Sequence, residues 1–249
     1  MLKMIVALCS IVISVSLASA EPIDKPRLKT GDTWAYQSTT EQSANQNAQA
    51  SGAWAEKHSE ITVVRAGSST MLISRKERGS KLPPLEIMTG SDWSYYRSIN
   101  GEETVVNQPF NFPLEEGKSW NLKFIENHPN NQLKYLESQL NYTVVGWEEV
   151  TVPAGKFKAL KIETDGKWKS ELEPSNNTST SSRTNQDGTT VIMQANKERP
   201  KVSSGRIYRA YWYVPEAKRY VKAVEENFTP NGTLSRRNTE ELESFKVAQ

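Results

Sequence analysis

Residues Val150–Ile162, VTVPAGKFKALKI, read as a strand, a Pro-Ala-Gly turn and a returning strand. Val150 and Val152 share a face because strand side chains alternate, and Pro153 withdraws an amide donor where the first ladder can end. Gly155 supplies a backbone permissive enough to reverse the chain. Phe157, Leu160 and Ile162 resume the apolar pattern, but the odd step from 157 to 160 breaks strict alternation. A β-bulge is therefore expected near Ala159, curling the sheet. On this reading the hairpin is the bend that shapes the sheet, Phe157 anchors it in the core, and any binding surface lies on the concave face so created.

Similar units recur on both sides. Thr30-Gly31-Asp32 launches a strand over Thr33–Thr40 that carries Trp34 and Tyr36 on one face. Ile61–Arg65 and Met71–Arg75 flank Ala66-Gly67-Ser68 as a hairpin, and Pro83-Pro84 stops the sheet locally. Asn100-Gly101 between Asp92–Ile99 and Glu102–Val106 fits the type I′ turn that matches strand twist. Gly117-Lys-Ser-Trp120 repeats the order of Gly31-Asp-Thr-Trp34. Glu126–Gln132 reads as a polar turn, Asp165-Gly166 as another, and Asn231-Gly232 as the last. No window sustains the i, i+3, i+4, i+7 apolar recurrence of a helix. The expected fold class is all-β: a curled antiparallel meander sheet, as a half-barrel or partly open barrel, with a two-sheet β-sandwich as the alternative.

Met1–Ala20 has a basic start at Lys3, an apolar stretch and Ala18-Ser19-Ala20 as an A-x-A cleavage site, the pattern of a secretory signal peptide. Leu8 before Cys9 departs from the lipoprotein pattern, and no further apolar run reaches the length of a membrane span. Residues 1–20 are thus expected to be a signal peptide cleaved after Ala20, and residues 21–249 a single all-β domain in the periplasm or secreted. Cys9 is the only cysteine, so the cleaved chain depends on its core and not on disulfides. The segment Pro174–Gln186, PSNNTSTSSRTNQ, offers nothing apolar to bury, and a mobile polar loop is expected near 174–204, interrupted by a short strand over Thr189–Met193.

Charge is close to balanced, with 31 Lys+Arg against 29 Asp+Glu, so neither nucleic acid nor an anionic membrane surface is implied as a partner. His58 and His128 are the only histidines and lack metal-ligand spacing, so no metal site and no cofactor are expected. No thiol survives cleavage, and no Gly-x-Ser-x-Gly elbow marks a serine nucleophile. The adjacent pairs Glu102-Glu103, Glu115-Glu116, Glu148-Glu149, Glu225-Glu226 and Glu240-Glu241 cannot themselves form a glycosidase dyad, because strand neighbours face opposite ways. They read as solvated strand edges. Arg219 and Lys222 near Tyr211 and Tyr213 suit either an anion or protection of a sheet edge. Seven tryptophans (34, 54, 93, 120, 147, 168 and 212) read mostly as core, with a subset able to line a cleft.

Four motifs carry a resemblance: Gly31-Asp-Thr-Trp-Ala-Tyr36, Phe112-Pro-Leu-Glu-Glu-Gly-Lys-Ser-Trp120, Val150-Thr-Val-Pro-Ala-Gly-Lys-Phe157 and Tyr211-Trp-Tyr-Val-Pro215 with Val221-Lys222. Together they resemble uncharacterised periplasmic proteins of proteobacteria, which are similar in turn to lipoprotein-carrier half-barrels. The resemblance implies a curled antiparallel sheet with a concave face suited to a hydrophobic ligand, and it transfers no functional residue. The expected function is a non-enzymatic exported binding or carrier module for a lipid, an acyl chain or an exported polypeptide. A structural or assembly partner in the cell envelope is the alternative, and a hydrolase a third reading. No catalytic residue is assigned, and the ligand-binding residues are unknown from the sequence.

Overall fold

A computed structural model describes residues 21–42, 55–173, 178–184, 190–196 and 202–248. The first half is a meander of six strands: β1 (Thr33–Gln42), β2 (Ala55–Ala66), β3 (Thr70–Glu77), β4 (Leu85–Gly90), β5 (Tyr95–Ile99) and β6 (Glu102–Asn107). The second contains β7 (Ser119–Asn130), β8 (Leu133–Val152), β9 (Gly155–Leu172), β10 (Thr178–Thr184), β11 (Thr190–Asn196), β12 (Val202–Val214), β13 (Arg219–Phe228) and β14 (Leu234–Lys246). All but β10 and β11 form one antiparallel sheet in the order β6-β5-β4-β3-β2-β1-β14-β13-β12-β9-β8-β7. Pairing of β1 with β14 welds the two meanders into a single twelve-stranded sheet. No helix occurs among the described residues.

The sheet curls into a nearly closed barrel, so the expected curled meander is found and the sandwich alternative is not. Its free edges, β6 and β7, approach without a shared ladder. Side chains bridge the seam instead: Arg97 donates to Glu126 at 2.6 Å, and Asn100 Nδ2 donates to the Ile125 carbonyl at 3.3 Å. Glu126 therefore belongs to β7, largely buried at the seam, and not to a polar turn. The turn itself is confined to the two residues between Asn130 and Leu133.

Both glycine-x-hydroxyl-tryptophan launches use the same device. Gly31 N–H donates to the Val63 carbonyl and Val63 N–H to that of Asp32; Gly117 N–H donates to the Val144 carbonyl and Val144 N–H to that of Lys118. Each glycine has a positive φ, 93° and 81°, which a side chain would strain. Each tryptophan then opens a strand: Trp34 opposite Ile61, Trp120 opposite Tyr142. Asn100 and Gly101 both have positive φ, 53° and 87°, as a type I′ turn requires.

The Val150–Ile162 hairpin forms as expected, with Val150 opposite Phe157 and Val152 opposite Gly155. Its irregularity lies elsewhere, however. β9 passes Ala159 in unbroken register, and the shift falls on β8 between Val144 and Gly146. Ala159 and Leu160 are both buried because the two sides of the hairpin find different neighbours. Near the tip, Phe157 meets Phe245 and Ala154 N–H donates to the Leu242 carbonyl on β14, while beyond it β9 joins β12 from Leu160 onward. The break in alternation thus records a change of packing partner and not an extra residue.

Two further expectations change. Within 174–204, the described stretches pair as the β10–β11 hairpin, Thr178 opposite Asn196 through Thr184 opposite Thr190, and β12 starts at Val202. The Thr- and Ser-rich run of β10 has no apolar face and so gave no sequence signal, whereas β11 coincides with the strand expected over Thr189–Met193. Asp165-Gly166 makes no turn but lies inside β9. A Cβ on Gly166 would sit 2.5 Å from Leu140 Cδ2 and 2.7 Å from Ile207 Cγ2, so glycine is there to let neighbouring strands close over it. Gly166→Ala is accordingly expected to destabilise the fold by about 1–3 kcal/mol in urea unfolding, an overpacking cost. A change under a few tenths of a kcal/mol would show that the site relaxes freely.

Candidate functional site

The β12–β13 turn, Pro215–Lys218, is the hub on which the interior is built. Trp34 Nε1 donates to the Ala217 carbonyl at 2.7 Å, Trp93 Nε1 to the Lys218 carbonyl at 3.0 Å and the Tyr36 hydroxyl to the Tyr220 carbonyl at 2.6 Å. Each ring buries a large apolar surface while its polar atom satisfies a backbone acceptor that the turn would otherwise strand. Trp34 and Trp93 meet edge to face at 5.2 Å. Trp93 takes φ 68°, a left-handed conformation that costs an L-residue about 1–2 kcal/mol. That cost is offset by its indole bond and burial, and the conformation carries the ring over Arg219.

Arg219 is 2% exposed. Its guanidinium carbon lies 4.1 Å from the Trp93 ring centroid, 4.7 Å from Tyr220, 5.4 Å from Tyr36 and 5.9 Å from Trp34. Nη2 donates to the Tyr220 hydroxyl at 3.1 Å, which donates to Glu240 Oε2 at 2.6 Å, and Glu240 Oε1 accepts from Arg75 Nη2 at 2.7 Å. One carboxylate therefore faces two arginines, and only Arg75 is in direct ion-pair contact with it. Arg219 Nε and Nη1 are enclosed without a hydrogen-bond partner among the described residues. Ring faces contribute about 0.5–2 kcal/mol each toward holding a desolvated cation, but they do not satisfy N–H donors, whose unmet cost is about 1–3 kcal/mol apiece.

These groups line a cavity of about 270 Å³ inside the barrel, walled by Trp93, Tyr95, Pro109, Tyr211 and Val224, with Asn107 and Asn238 as polar points. The lining comes from β3, β5, β6, β12, β13 and β14, from opposite arms of the curled sheet. Arg75, Asn238 and Glu240 also border a wider hollow of about 500 Å³ lined by Lys57, Ser59, Leu82, Leu85 and Arg236. The Arg75–Glu240 pair thus stands between the inner cavity and this vestibule. Deeper packing is aromatic: Phe110 lies 4.9 Å from Tyr213 and 6.1 Å from Tyr211, and Trp120 stacks on Tyr142 at 5.2 Å.

Electrostatics follow from this burial. Burial pushes the Tyr220 phenol well above its ordinary range, so it stays neutral and able to donate to Glu240. For Glu240 burial acts upward, but Arg75, the Tyr220 hydroxyl and Arg219 outweigh it and hold the carboxyl below the ordinary glutamate range. Glu225, opposite Arg209 in the β12–β13 register, accepts from Arg209 Nε at 2.7 Å.

Sequence-derived candidates distribute unevenly. Arg219 and Lys222 separate: Arg219 enters the aromatic enclosure, whereas Lys222 pairs with Glu241 at 2.7 Å beside Trp212. Glu240-Glu241 and Glu225-Glu226 are not merely solvated edges, since one member of each pair turns to the cavity and the other to Lys222 or Arg237. His58 pairs with Glu243 and Glu56, His128 with Glu173, and neither lines the cavity. Of the tryptophans, Trp93 lines the cavity and Trp34 backs it, Trp168 borders an outer groove, and Trp54 lies outside the described residues. Asn107, Tyr95 and Asn238 carried no signal, because nothing local marks a polar residue as inward-facing.

No protein-family model and no curated protein matches the chain. Among solved structures, a candidate lipoprotein of Parabacteroides distasonis is similar at TM-score 0.44 and 12% identity, over 91% of this chain and 100% of that one. A candidate exported protein with a YmcC-like fold from Bacteroides fragilis is similar at TM-score 0.42 and 15% identity, over 90% of this chain and 99% of that one. Among the described residues no helix is long and apolar enough to cross a membrane.

A pH prediction follows from Glu240. Because its folded pKa is depressed, its stabilising contribution is present above the ordinary carboxylate range and is lost as pH falls through the folded value. Glu240→Gln should cost about 1–3 kcal/mol near neutral pH, and its thermal midpoint should fall less than that of the wild type between about pH 7 and pH 3. Parallel curves would show that Glu240 titrates alike in folded and unfolded chains.

Proposed function

We propose that this chain is an exported, non-enzymatic binding protein that holds a small amphiphilic molecule inside its barrel. The observation that supports this reading best is the cavity behind the Arg75–Glu240 pair, where aromatic walls and a few convergent polar groups occur together. Its volume of about 270 Å³ is under twice that of a cavity that accepts benzene. A one-ring molecule or a short acyl chain matches that space; a diacyl lipid or a folded polypeptide segment does not. Export is argued from the pattern of Met1–Ala20, and the absence of chemistry from the ion-paired histidines lying away from the cavity.

Native mass spectrometry of the protein expressed with its own N-terminal segment tests both parts. The expected result is a chain starting at Glu21, found outside the cytoplasm, carrying a small molecule released by organic solvent. Tyr211→Ala, which opens the cavity wall, is expected to lower occupancy at least about tenfold while leaving the fold intact enough for a cooperative melt. An intact N-terminus in the cytoplasm would sink the export reading, and an empty cavity that accepts no fragment would sink the binding reading.

A second reading is favoured by one observation. Leu82 and Leu85, exposed at 74% and 62%, stand at the β3–β4 connection and line the vestibule. Such a patch suits an envelope partner that receives or delivers the cargo.

A further inference from the structure

We propose that the ligand presents a carboxylate to Arg219, so that the barrel is a receptor for small organic anions with an apolar body; this rests on the binding role proposed above. Arg219 is the cavity-lining cation that has no carboxylate within ion-pair distance among the described residues, since Glu240 is engaged by Arg75 and Glu225 by Arg209. It is 2% exposed, so water does not screen the imbalance. Its faces are taken up by rings, the Trp93 centroid lying 4.1 Å away, and Nε and Nη1 have no acceptor. Buried polar groups in folded proteins nearly always find partners, and a carboxylate is an acceptor that also answers the charge. The Trp93 ring at 4.1 Å and the bond to the Tyr220 hydroxyl hold the guanidinium in place before any ligand arrives, which lowers the ordering cost of binding. Phosphate esters share the charge, but the small aromatic-walled volume favours a planar monoanion.

The test compares matched pairs on the purified full-length-expressed protein: benzoate with benzamide, phenylacetate with phenylacetamide and hexanoate with hexanamide. Binding is read by calorimetry and by chemical-shift changes at tryptophan indole resonances, with phenyl phosphate as a further probe. The acids are expected to bind at least about tenfold more tightly than their amides, the factor set by one charge-assisted hydrogen bond. Arg219→Gln should erase that preference, and Arg219→Lys should retain part of it. Amides binding as tightly as acids would overturn the carboxylate assignment while leaving the small-molecule reading standing. Tighter binding of phenyl phosphate than of any carboxylate would likewise overturn it in favour of phosphate esters. No binding by any member would overturn both. Should Arg219→Gln fail to fold, the acid–amide comparison on the wild type still decides the matter.

Discussion

Three ring donors from the first meander meet backbone carbonyls at one corner of the second: Trp34 and Trp93 at Ala217 and Lys218 in the β12–β13 turn, Tyr36 at Tyr220 just inside β13. A curled sheet can bury its concave face only if the turns pressed into that face lose no hydrogen bonds, and here the acceptors are satisfied by the same side chains that supply the apolar bulk. The bonds connect residues more than a hundred positions apart, so they join the two meanders in addition to the β1–β14 ladder. Lys218 adds a tether from the same turn, its ammonium bonding the Arg27 carbonyl at 2.8 Å and that of Ala248.

Placing Arg219 immediately after that turn has a physical consequence. The rings that secure the turn also enclose the guanidinium, so the scaffold that stabilises the fold places a cation in a desolvated space. One buried carboxylate, Glu240, serves Arg75 directly and reaches Arg219 only through Tyr220. Breaking such a network from either side leaves an uncompensated charge, which is costlier than any exposed ion pair on the outer face.

Much of the architecture was legible from local chemistry. Asn100-Gly101, Pro153–Gly155 and the two glycine launches dictate turns by backbone conformation alone, and strands joined by such short turns pair antiparallel. Legibility failed wherever a residue's meaning depends on a distant neighbour. Gly166 looked like a turn because Asp-Gly often is one, yet its lack of a side chain serves Leu140 and Ile207. Glu126 looked solvated until the seam brought Arg97 to it, and Glu240 looked like half of an edge pair until Tyr220 and Arg75 faced it.

The amino-acid sequence by itself determined an all-β meander with its principal turns and a near-neutral balance of charge, because these depend on local residues and on composition. Only the tertiary structure decided that the sheet nearly closes, that the Val150–Ile162 hairpin ends against β14 without a bulge of its own, and that Arg219 and not Lys222 faces the cavity. Curvature sums small twists over twelve strands, and burial of a charge depends on what the far side of the sheet brings to meet it. Neither quantity is written in any short stretch of residues.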